Sequence, residues 1–417
     1  MNNFFQQYRR WFVLGGLMLI YAASSGIIVH TLPLLYPSLI DEFGWSITQM
    51  TLPATLFSIF GAISSPPAGV LFDRFSVRRI MLIGVTGIVV SLMCFSFASS
   101  LWHLVAVYVA FGLAMSLCGL TASMVILTKW FYGKRGIATG LLLMSSSLGG
   151  AIFPLILGSG IETLGWRNAL ILVSVIAACM TLPAILFLLL DRPESEWVLT
   201  GTESASQAPR QALQGPTLRA AIKTPTFYLV LIATGAIWFT VIALTQHQSL
   251  HLVKDVGIDP ALLPLVFSTF FGCSVIGKFG FGWLSDYLNK ELSMIASILL
   301  LTFGLLIIRG LDAHDTTMLF AYAAIGGIGF SGAFTTIQLL IAEHYAGNSY
   351  GKILAIIVMV DSLAGGVGTR VMASMRDTTD SYTTGWELLI TLCILAIIAT
   401  FIIRQLNYSK TAAGPLN

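Results

Sequence analysis

A few ionisable side chains stand inside long apolar runs of the sequence, where a charge is costly and is usually kept for a purpose. Asp361 is the one acid, of 19 Asp and Glu residues, that falls in the middle of such a run, and Lys278 and Arg370 are the corresponding cations among 22 Lys and Arg residues. His30, His247 and His251 complete the set, although His251 falls near the outer surface and is set aside. An ammonium group can hold a carboxylate, a buried carboxyl group can carry a proton, and an imidazole can titrate near neutral pH.

Each of these residues also has a structural interpretation. Lys278 and Asp361 could form an ion pair that only neutralises both charges, and Asp361 could instead bind a cationic compound directly. Arg370 follows Asp361 on nearly the opposite face of one helix, where it could attract anions or bind a carbonyl group. His30 and His247 could be hydrogen-bonded packing residues rather than parts of a binding site.

Long apolar runs dominate the chain, which is 56% hydrophobic and only 10% charged over 417 residues. A soluble domain carries about a quarter charged residues, whereas a membrane span needs about 20 apolar ones in a helix that pairs its own backbone. The sequence therefore predicts an all-α integral membrane protein with twelve transmembrane helices in two six-helix bundles. The predicted spans are 11–39, 47–72, 80–99, 102–130, 136–161, 167–190, 226–253, 260–284, 291–310, 316–343, 351–375 and 385–406.

Other classes of protein are disfavoured by what the sequence lacks. No phosphate-binding Gly-Lys-Ser/Thr loop, zinc-ligand spacing or nucleophile motif is present, so we predict no enzyme, no cofactor and no metal site. A formal charge of +3 is too small to indicate nucleic acid as a partner. The five cysteines all fall inside apolar runs, which favours packing roles over disulfides.

The charges between the runs predict the orientation in the membrane. Lys and Arg collect in the segments that face the cytoplasm. With the N-terminus inside, the opposite side keeps only Arg167, Lys254, Arg309 and Arg376. We therefore expect a multi-pass protein of the cell (inner) membrane with both termini cytoplasmic.

A repeat divides the sequence into two halves. GVLFDRFSVRR follows span two at residues 69–79, and GWLSDYLNK follows span eight at residues 282–290, about half the chain later. Glycine, then Asp73 or Asp286, then cations recur in both joints, which indicates duplication. The one long polar connection lies between spans six and seven. The predicted domains are an N-terminal bundle (1–190), a cytoplasmic linker (191–225) and a C-terminal bundle (226–417).

The first joint resembles the signature loop of the major facilitator superfamily, and the resemblance extends over nearly the whole chain. Within that superfamily the sequence looks most like the monocarboxylate transporter and oxalate/formate exchanger branch in its bacterial form. The segments that carry this second resemblance are EFGWS at 42–46, KWFYGKRGIATG at 129–140 and GWR at 165–167.

The resemblance implies roles for the joints and for one lysine. Asp73 would close the outward-facing state by meeting the start of span eleven, with Arg74, Arg78 and Asp286 in the same gate, although the cations could serve only to set topology. The branch usually has Arg at the position of Lys278, where it is implied to bind the substrate carboxylate. Lys keeps the charge but loses the bidentate geometry.

We therefore expect a secondary transporter that takes up a small monocarboxylate or related organic anion with a proton, by alternating access. Lys278 would bind the carboxylate, Asp361 would couple the proton, and His30, His247 and Arg370 would line the site. One alternative is a proton-driven exporter of an amphipathic or cationic small molecule, and another is a sensor without transport. The expected partners are the organic anion, the proton and the lipid bilayer, with the chain as a monomer.

Overall fold

The computed structural model describes residues 2–131, 135–191, 216–345 and 349–412, and every regular element in these ranges is helical. Part of the motif at 129–140 and most of the predicted linker lie outside the described residues. The helices are α1 (Asn2–Ile28), α2 (Tyr36–Phe43), α3 (Ile47–Arg74), α4 (Val77–Ser96), α5 (Leu101–Cys118), α6 (Leu120–Trp130), α7 (Arg135–Pro183), α8 (Leu218–Ala221), α9 (Pro225–Leu250), α10 (Leu263–Tyr287), α11 (Lys290–Arg309), α12 (Thr316–Tyr345), α13 (Tyr350–Thr379) and α14 (Thr383–Ala412).

Eleven helical stretches in the described part of the chain are long and apolar enough to cross a membrane. The longest, Ile137–Leu188, has 52 residues and contains Gly165 with φ at +77°. This left-handed conformation favours glycine and interrupts the helix, so the stretch holds two spans. The break coincides with the predicted joint between spans five and six. The predicted all-α membrane fold is therefore confirmed.

The first predicted span, 11–39, is broken rather than continuous. α1 ends at Ile28, a 3₁₀ turn covers Leu32–Leu35, and α2 then begins. Pro33 lies in the turn, where its missing N–H costs nothing, and the Thr31 hydroxyl donates to the Gly26 carbonyl at 2.7 Å. Predicted span four is likewise divided, because Gly119 leaves the helical region between α5 and α6.

Local capping explains where several helices begin. The Ser46 hydroxyl accepts a hydrogen bond from the Gln49 N–H at 3.2 Å, while the Gln49 side chain accepts from the Ser46 N–H at 3.0 Å. This reciprocal capping box satisfies backbone donors at the start of α3. Ser76 and Ser100 cap α4 and α5 in the simpler way, each accepting from a backbone N–H three residues later.

The chain divides into two compact units. The first comprises Met1–Ala208 with Asp259–Phe271, and the second comprises Pro209–Ile258 with Gly272–Asn417. The domain boundaries at 190 and 226 stay a prediction, since residues 192–215 lie outside the described part.

Glycines permit close helix contacts inside each unit. A Cβ atom on Gly149 of α7 would lie 2.2 Å from the Ala22 carbonyl oxygen of α1. In the second unit, a Cβ atom on Gly329 of α12 would lie 2.2 Å from the Leu301 nitrogen of α11. Such backbone approach is a common way for membrane helices to associate.

Candidate functional site

Asp361 lies in the middle of α13, with only 3% of its surface exposed. The hydroxyl of Thr234 on α9 donates a hydrogen bond of 2.7 Å to Asp361 Oδ1. Within the described residues this is the one polar side-chain partner of the carboxylate, and no cation forms an ion pair with it. A carboxylate buried with so little compensation is unusual, because burying a charge is costly unless it is paired.

Lys278 lies on α10 and is 9% exposed. Its Nζ atom stands 5.5 Å from the ring centroid of Phe334 on α12, in the geometry of a cation–π contact. Phe334 in turn meets Trp238 of α9 edge to face, with 5.6 Å between the ring centroids. The interpretation of Lys278 and Asp361 as a mutually neutralising ion pair is not what the structure has.

His247 is fully buried in α9, and both of its ring nitrogens have partners. Nε2 lies 2.9 Å from the Thr369 carbonyl oxygen, which can only accept, so Nε2 carries the proton. Nδ1 then accepts from the Tyr382 hydroxyl at 2.8 Å. Burial raises the pKa of the Tyr382 hydroxyl, which therefore keeps its proton for this bond. Arg370, next to Thr369 on α13, has an exposed side chain.

A polar cluster surrounds the end of α9 opposite the linker; we call it the far-end cluster and define it as His247, His251, Asp255, Arg376 and Tyr382. Arg376 Nη2 lies 2.8 Å from Asp255 Oδ1, and the Tyr382 N–H donates to Asp255 Oδ2 at 3.0 Å. His251 Nε2 is 3.0 Å from the Ile308 carbonyl oxygen.

Sequence reasoning missed the far-end cluster. Asp255 and Arg376 stand near the ends of predicted spans, where charges are ordinary, and the contact joins residues far apart in the chain. The signal that could have found it is the presence of opposite charges at the same end of spans seven and eleven.

His30 lies in the first unit, where its ring centroid is 4.2 Å from that of Phe271. Gly150 of α7 makes this packing possible, since a Cβ atom there would come within 3.0 Å of His30 Cβ and 2.7 Å of Phe271 Cγ. His30 and His247 therefore belong to different units, and their prediction as lining residues of one site stays a prediction.

The two repeated joints differ in the partners of their polar residues. In the first joint the Arg78 N–H donates to Asp191 Oδ1 at 2.7 Å, and its guanidinium donates to the carbonyls of Ile185 and Leu186 at 3.0 and 2.6 Å. The Ser76 hydroxyl also donates to Asp191. These bonds tie the start of α4 to the end of the sixth predicted span.

Arg74 and Asp286, two further gate candidates, differ from Arg78 in their surroundings. Arg74 is exposed in the last turn of α3, and Asp286 is exposed with no hydrogen bond or ion pair to any described residue. The side chain of Asp73 lies outside the described part of the structure. The gating role of all these residues stays a prediction.

Two of the sequence motifs meet in one contact in the first unit. Glu42 of EFGWS accepts a hydrogen bond from Trp166 Nε1 at 2.5 Å and pairs with Arg167 Nη1 at 2.7 Å, both from GWR. The Arg167 guanidinium also lies over the Trp166 ring, 4.2 Å from its centroid. The motifs thus hold together the ends of α2 and the sixth predicted span, at a distance from the buried charges in the sequence. No group of three or more metal-ligating side chains occurs among the described residues.

The comparison with protein families decides the class of this helical membrane protein. The family model described as Major Facilitator Superfamily matches residues 13–253 and 248–413. The chain belongs to the Major Facilitator Superfamily. It is thus a transporter by family and a multi-pass membrane protein, not an enzyme, as the sequence predicted.

Relatives of this Major Facilitator Superfamily transporter support the same placement. It is 22% identical over 404 residues to the MFS-type transporter YcxA of Bacillus subtilis, covering 96% of this chain and 95% of the relative. It is 28% identical over 326 residues to Monocarboxylate transporter 13 of Bos taurus, covering 76% and 72%. A bacterial homologue of the human lysosomal transporter Spinster, solved inward-facing and unoccupied, shares the fold with a TM-score of 0.71 at 15% identity, over 97% of both chains.

Proposed function

We propose that this transporter takes up a small monocarboxylate or related organic anion together with a proton, by alternating access. The observation that carries the proposal is the separation of two buried opposite charges. Asp361 has a hydroxyl partner and no cation, while Lys278 lies over an aromatic ring and not against that carboxylate. A buried carboxylate that no cation neutralises can bind a mobile proton, and a buried ammonium group that is not spent on that carboxylate can contact an anionic substrate.

Asp361 is the proposed proton carrier. A lone carboxylate in a low-dielectric environment is neutralised by binding a proton, and its charge returns when the proton leaves. Thr234 supplies one hydrogen bond to whichever form is present, so the group stays in place through the cycle.

Lys278 is the proposed ligand of the substrate carboxylate. An ammonium group is the side-chain cation that pairs with a carboxylate through charge-assisted hydrogen bonds, and Lys278 is buried in the second unit beside the Phe334 ring. The similarity to Monocarboxylate transporter 13 supports a monocarboxylate as the substrate class. An acid rather than a second cation at Asp361 disfavours a dicarboxylate.

The other candidate residues take lesser parts in the proposal. Arg370 is exposed and can attract the anion, and His30 packs beside Phe271 where it can shape the site in its own unit. His247 positions α9 against α13 through its two hydrogen bonds, because neither ring nitrogen is left over for substrate. Asp73, Arg74, Arg78 and Asp286 form the proposed gate.

The proposed setting is the inner membrane of the cell, with both termini in the cytoplasm and the chain acting as a monomer. The distribution of Lys and Arg between the predicted spans supports this orientation.

A proton-driven exporter of an amphipathic or cationic small molecule is the second candidate. The lack of a cation beside Asp361 favours it, since that carboxylate could bind the positive group of such a compound. Lys278 would then have no contact with the substrate.

Uptake by purified protein in liposomes separates the two. With an inward proton gradient, labelled pyruvate or lactate should accumulate, and Lys278→Ala should abolish this accumulation. Lys352→Ala, which removes an exposed lysine, is the matched control. Uptake that is indifferent to Lys278, or a gradient that expels a lipophilic cation and leaves carboxylates untouched, would reject symport in favour of export.

A further inference from the structure

A cavity of about 310 Å³ lies at the linker end of the second unit, where α9 begins and where α12 and α14 approach their ends. Its volume is at the small end of the range for ligand pockets. None of the residues proposed for transport lines it. The polar residues of its wall are Thr224, Thr226, Glu343, His344, Tyr345 and Asn407.

Two hydroxyl groups in this wall have no hydrogen-bond partner among the described residues, and that of Tyr345 is fully buried. Tyr345 is 3% exposed and its hydroxyl is unsatisfied. Thr226 is 7% exposed, and its side chain likewise makes no hydrogen bond to the described residues. A buried polar group without a partner is destabilising and calls for an explanation, which a ligand in the cavity provides.

The start of α9 gives one side of the cavity an affinity for anions. Thr224 is the N-cap residue, but its hydroxyl donates to the Ala221 carbonyl at 2.7 Å and does not cap the helix. Pro225 has no N–H and the Phe227 N–H donates to the Thr224 carbonyl at 3.2 Å, so the Thr226 N–H is the donor that the first turn presents, at the positive end of a 26-residue helix. Such a terminus is suited to a phosphate or carboxylate group.

The end of α12 gives the other side an affinity for an ammonium group. Glu343 is exposed and has no ion pair or hydrogen bond to any described residue. Asn407 Nδ2 is 2.8 Å from both Glu291 Oε1 and His344 Nε2. Since His344 Nδ1 faces the Leu340 carbonyl at 3.0 Å, Nδ1 carries the proton and Nε2 accepts from Asn407. Both amide protons of Asn407 are thus donated within the protein, and Glu343 is the acidic side chain that this wall offers a ligand.

We propose that this cavity binds a small zwitterion, with its primary ammonium group on Glu343 and its anionic group at the start of α9. The Tyr345 and Thr226 hydroxyls complete the contacts. A metal ion does not fit, because no three ligating side chains come together among the described residues. Two sources supply this chemistry: a free zwitterion of the size of phosphoethanolamine, and the headgroup of phosphatidylethanolamine.

Calorimetric titration of the full-length protein with O-phosphoethanolamine tests the proposal. We expect saturable binding that is at least tenfold tighter than that of ethanolamine or inorganic phosphate alone, because each of these probes uses one side of the cavity. Glu343→Gln should weaken binding by tenfold or more, and Tyr345→Phe by a few-fold. Tyr345→Phe should leave the melting temperature unchanged or higher, since the lost hydroxyl had no partner.

Matched variants and bilayers complete the experiment. Glu162→Gln removes an exposed, unpartnered carboxylate in the other unit, and Tyr287→Phe removes an exposed hydroxyl; neither should alter binding. In nanodiscs, a higher melting temperature with phosphatidylethanolamine than with phosphatidylcholine, lost in Glu343→Gln, assigns the site to lipid. Absence of both effects, or binding equally strong in Glu343→Gln and Tyr345→Phe, would overturn the proposal whatever the result of carboxylate uptake.

Discussion

Two polar regions of the second unit, the far-end cluster and the pair Lys278 and Asp361, bury charge in opposite ways. In the far-end cluster the Asp255 carboxylate receives bonds from Arg376 and from the Tyr382 N–H, and His247 uses both ring nitrogens. Asp361 has one hydroxyl and Lys278 has an aromatic face. The same helices, α9 and α13, contribute to both regions.

Under the proposed function, the difference separates charges that hold the fold from charges that contact the substrate and the proton. The bonds of Asp255, Arg376, Tyr382 and His247 stabilise one arrangement of the helices around the far-end cluster, in which His251 Nδ1 alone has no hydrogen-bond partner among the described residues. A buried charge with few partners costs stability, and such charges in membrane proteins usually serve binding or proton transfer. Substitutions should therefore affect stability in the cluster and transport at the pair.

The largest effect is expected in the far-end cluster. Asp255→Asn removes one of the two carboxylates that contact Arg376, the other being Asp380, and losing charge-assisted hydrogen bonds of this kind costs about 1.5–3 kcal/mol. The melting temperature in detergent should fall by several degrees, while the protein that remains folded keeps its uptake rate within about twofold. Glu387→Gln breaks the ion pair with Arg309, whose side chains are far more exposed, and serves as the control.

A small loss from Glu387→Gln is expected, since exposed pairs contribute about 0–1 kcal/mol. Equal melting temperatures for the two variants would contradict the view that the cluster holds the helices together.

Removal of the charge of Lys278 should have the next largest effect, and this effect should be on transport and not on stability. Lys278→Gln removes the charge and should lower kcat/KM for pyruvate by about 100-fold, the value of one charge-assisted contact. Lys278→Arg should retain activity within about tenfold, because the cation is kept. Initial rates in liposomes measure both. If Gln and Arg variants transport equally well, the ammonium does not bind the substrate.

The smallest effect is expected at Thr234. Thr234→Val keeps the shape of the side chain and removes the hydrogen bond to Asp361, which is worth about 1 kcal/mol and corresponds to roughly a fivefold lower uptake rate. Thr240→Val on the same helix removes a hydroxyl that bonds to the Ala236 carbonyl and contacts the Cys393 side chain but not Asp361, and should have no effect on uptake. A loss common to both variants would point to helix packing and not to Asp361.

The sequence predicted the elements of this fold well because hydropathy and turn residues are local signals. Gly165 marks the joint inside α7, and Asp361 and Lys278 stand out as charges within apolar runs. The break of the first span near Pro33 was not predicted, because proline can bend a membrane helix or end it.

Partners could not be predicted from the sequence, since they depend on tertiary contacts. No local sequence signal shows that Glu42 contacts Trp166, or that both ring nitrogens of His247 have partners in Tyr382 and Thr369. The sequence likewise allows either an ion pair between Lys278 and Asp361 or two separate charges, and the structure has the charges separate. The sequence shows which side chains can ionise or form hydrogen bonds, whereas the fold determines which partners they contact.

The most direct test of the account compares two modes of transport in Asp361→Asn. Exchange of labelled for unlabelled pyruvate across the liposome membrane needs no net proton movement, whereas accumulation driven by a pH gradient does. The amide can still accept from Thr234 and mimics the neutral form of the carboxyl group. We predict that Asp361→Asn exchanges pyruvate at a rate near that of the parent protein and accumulates none. Full gradient-driven accumulation by this variant would contradict the account.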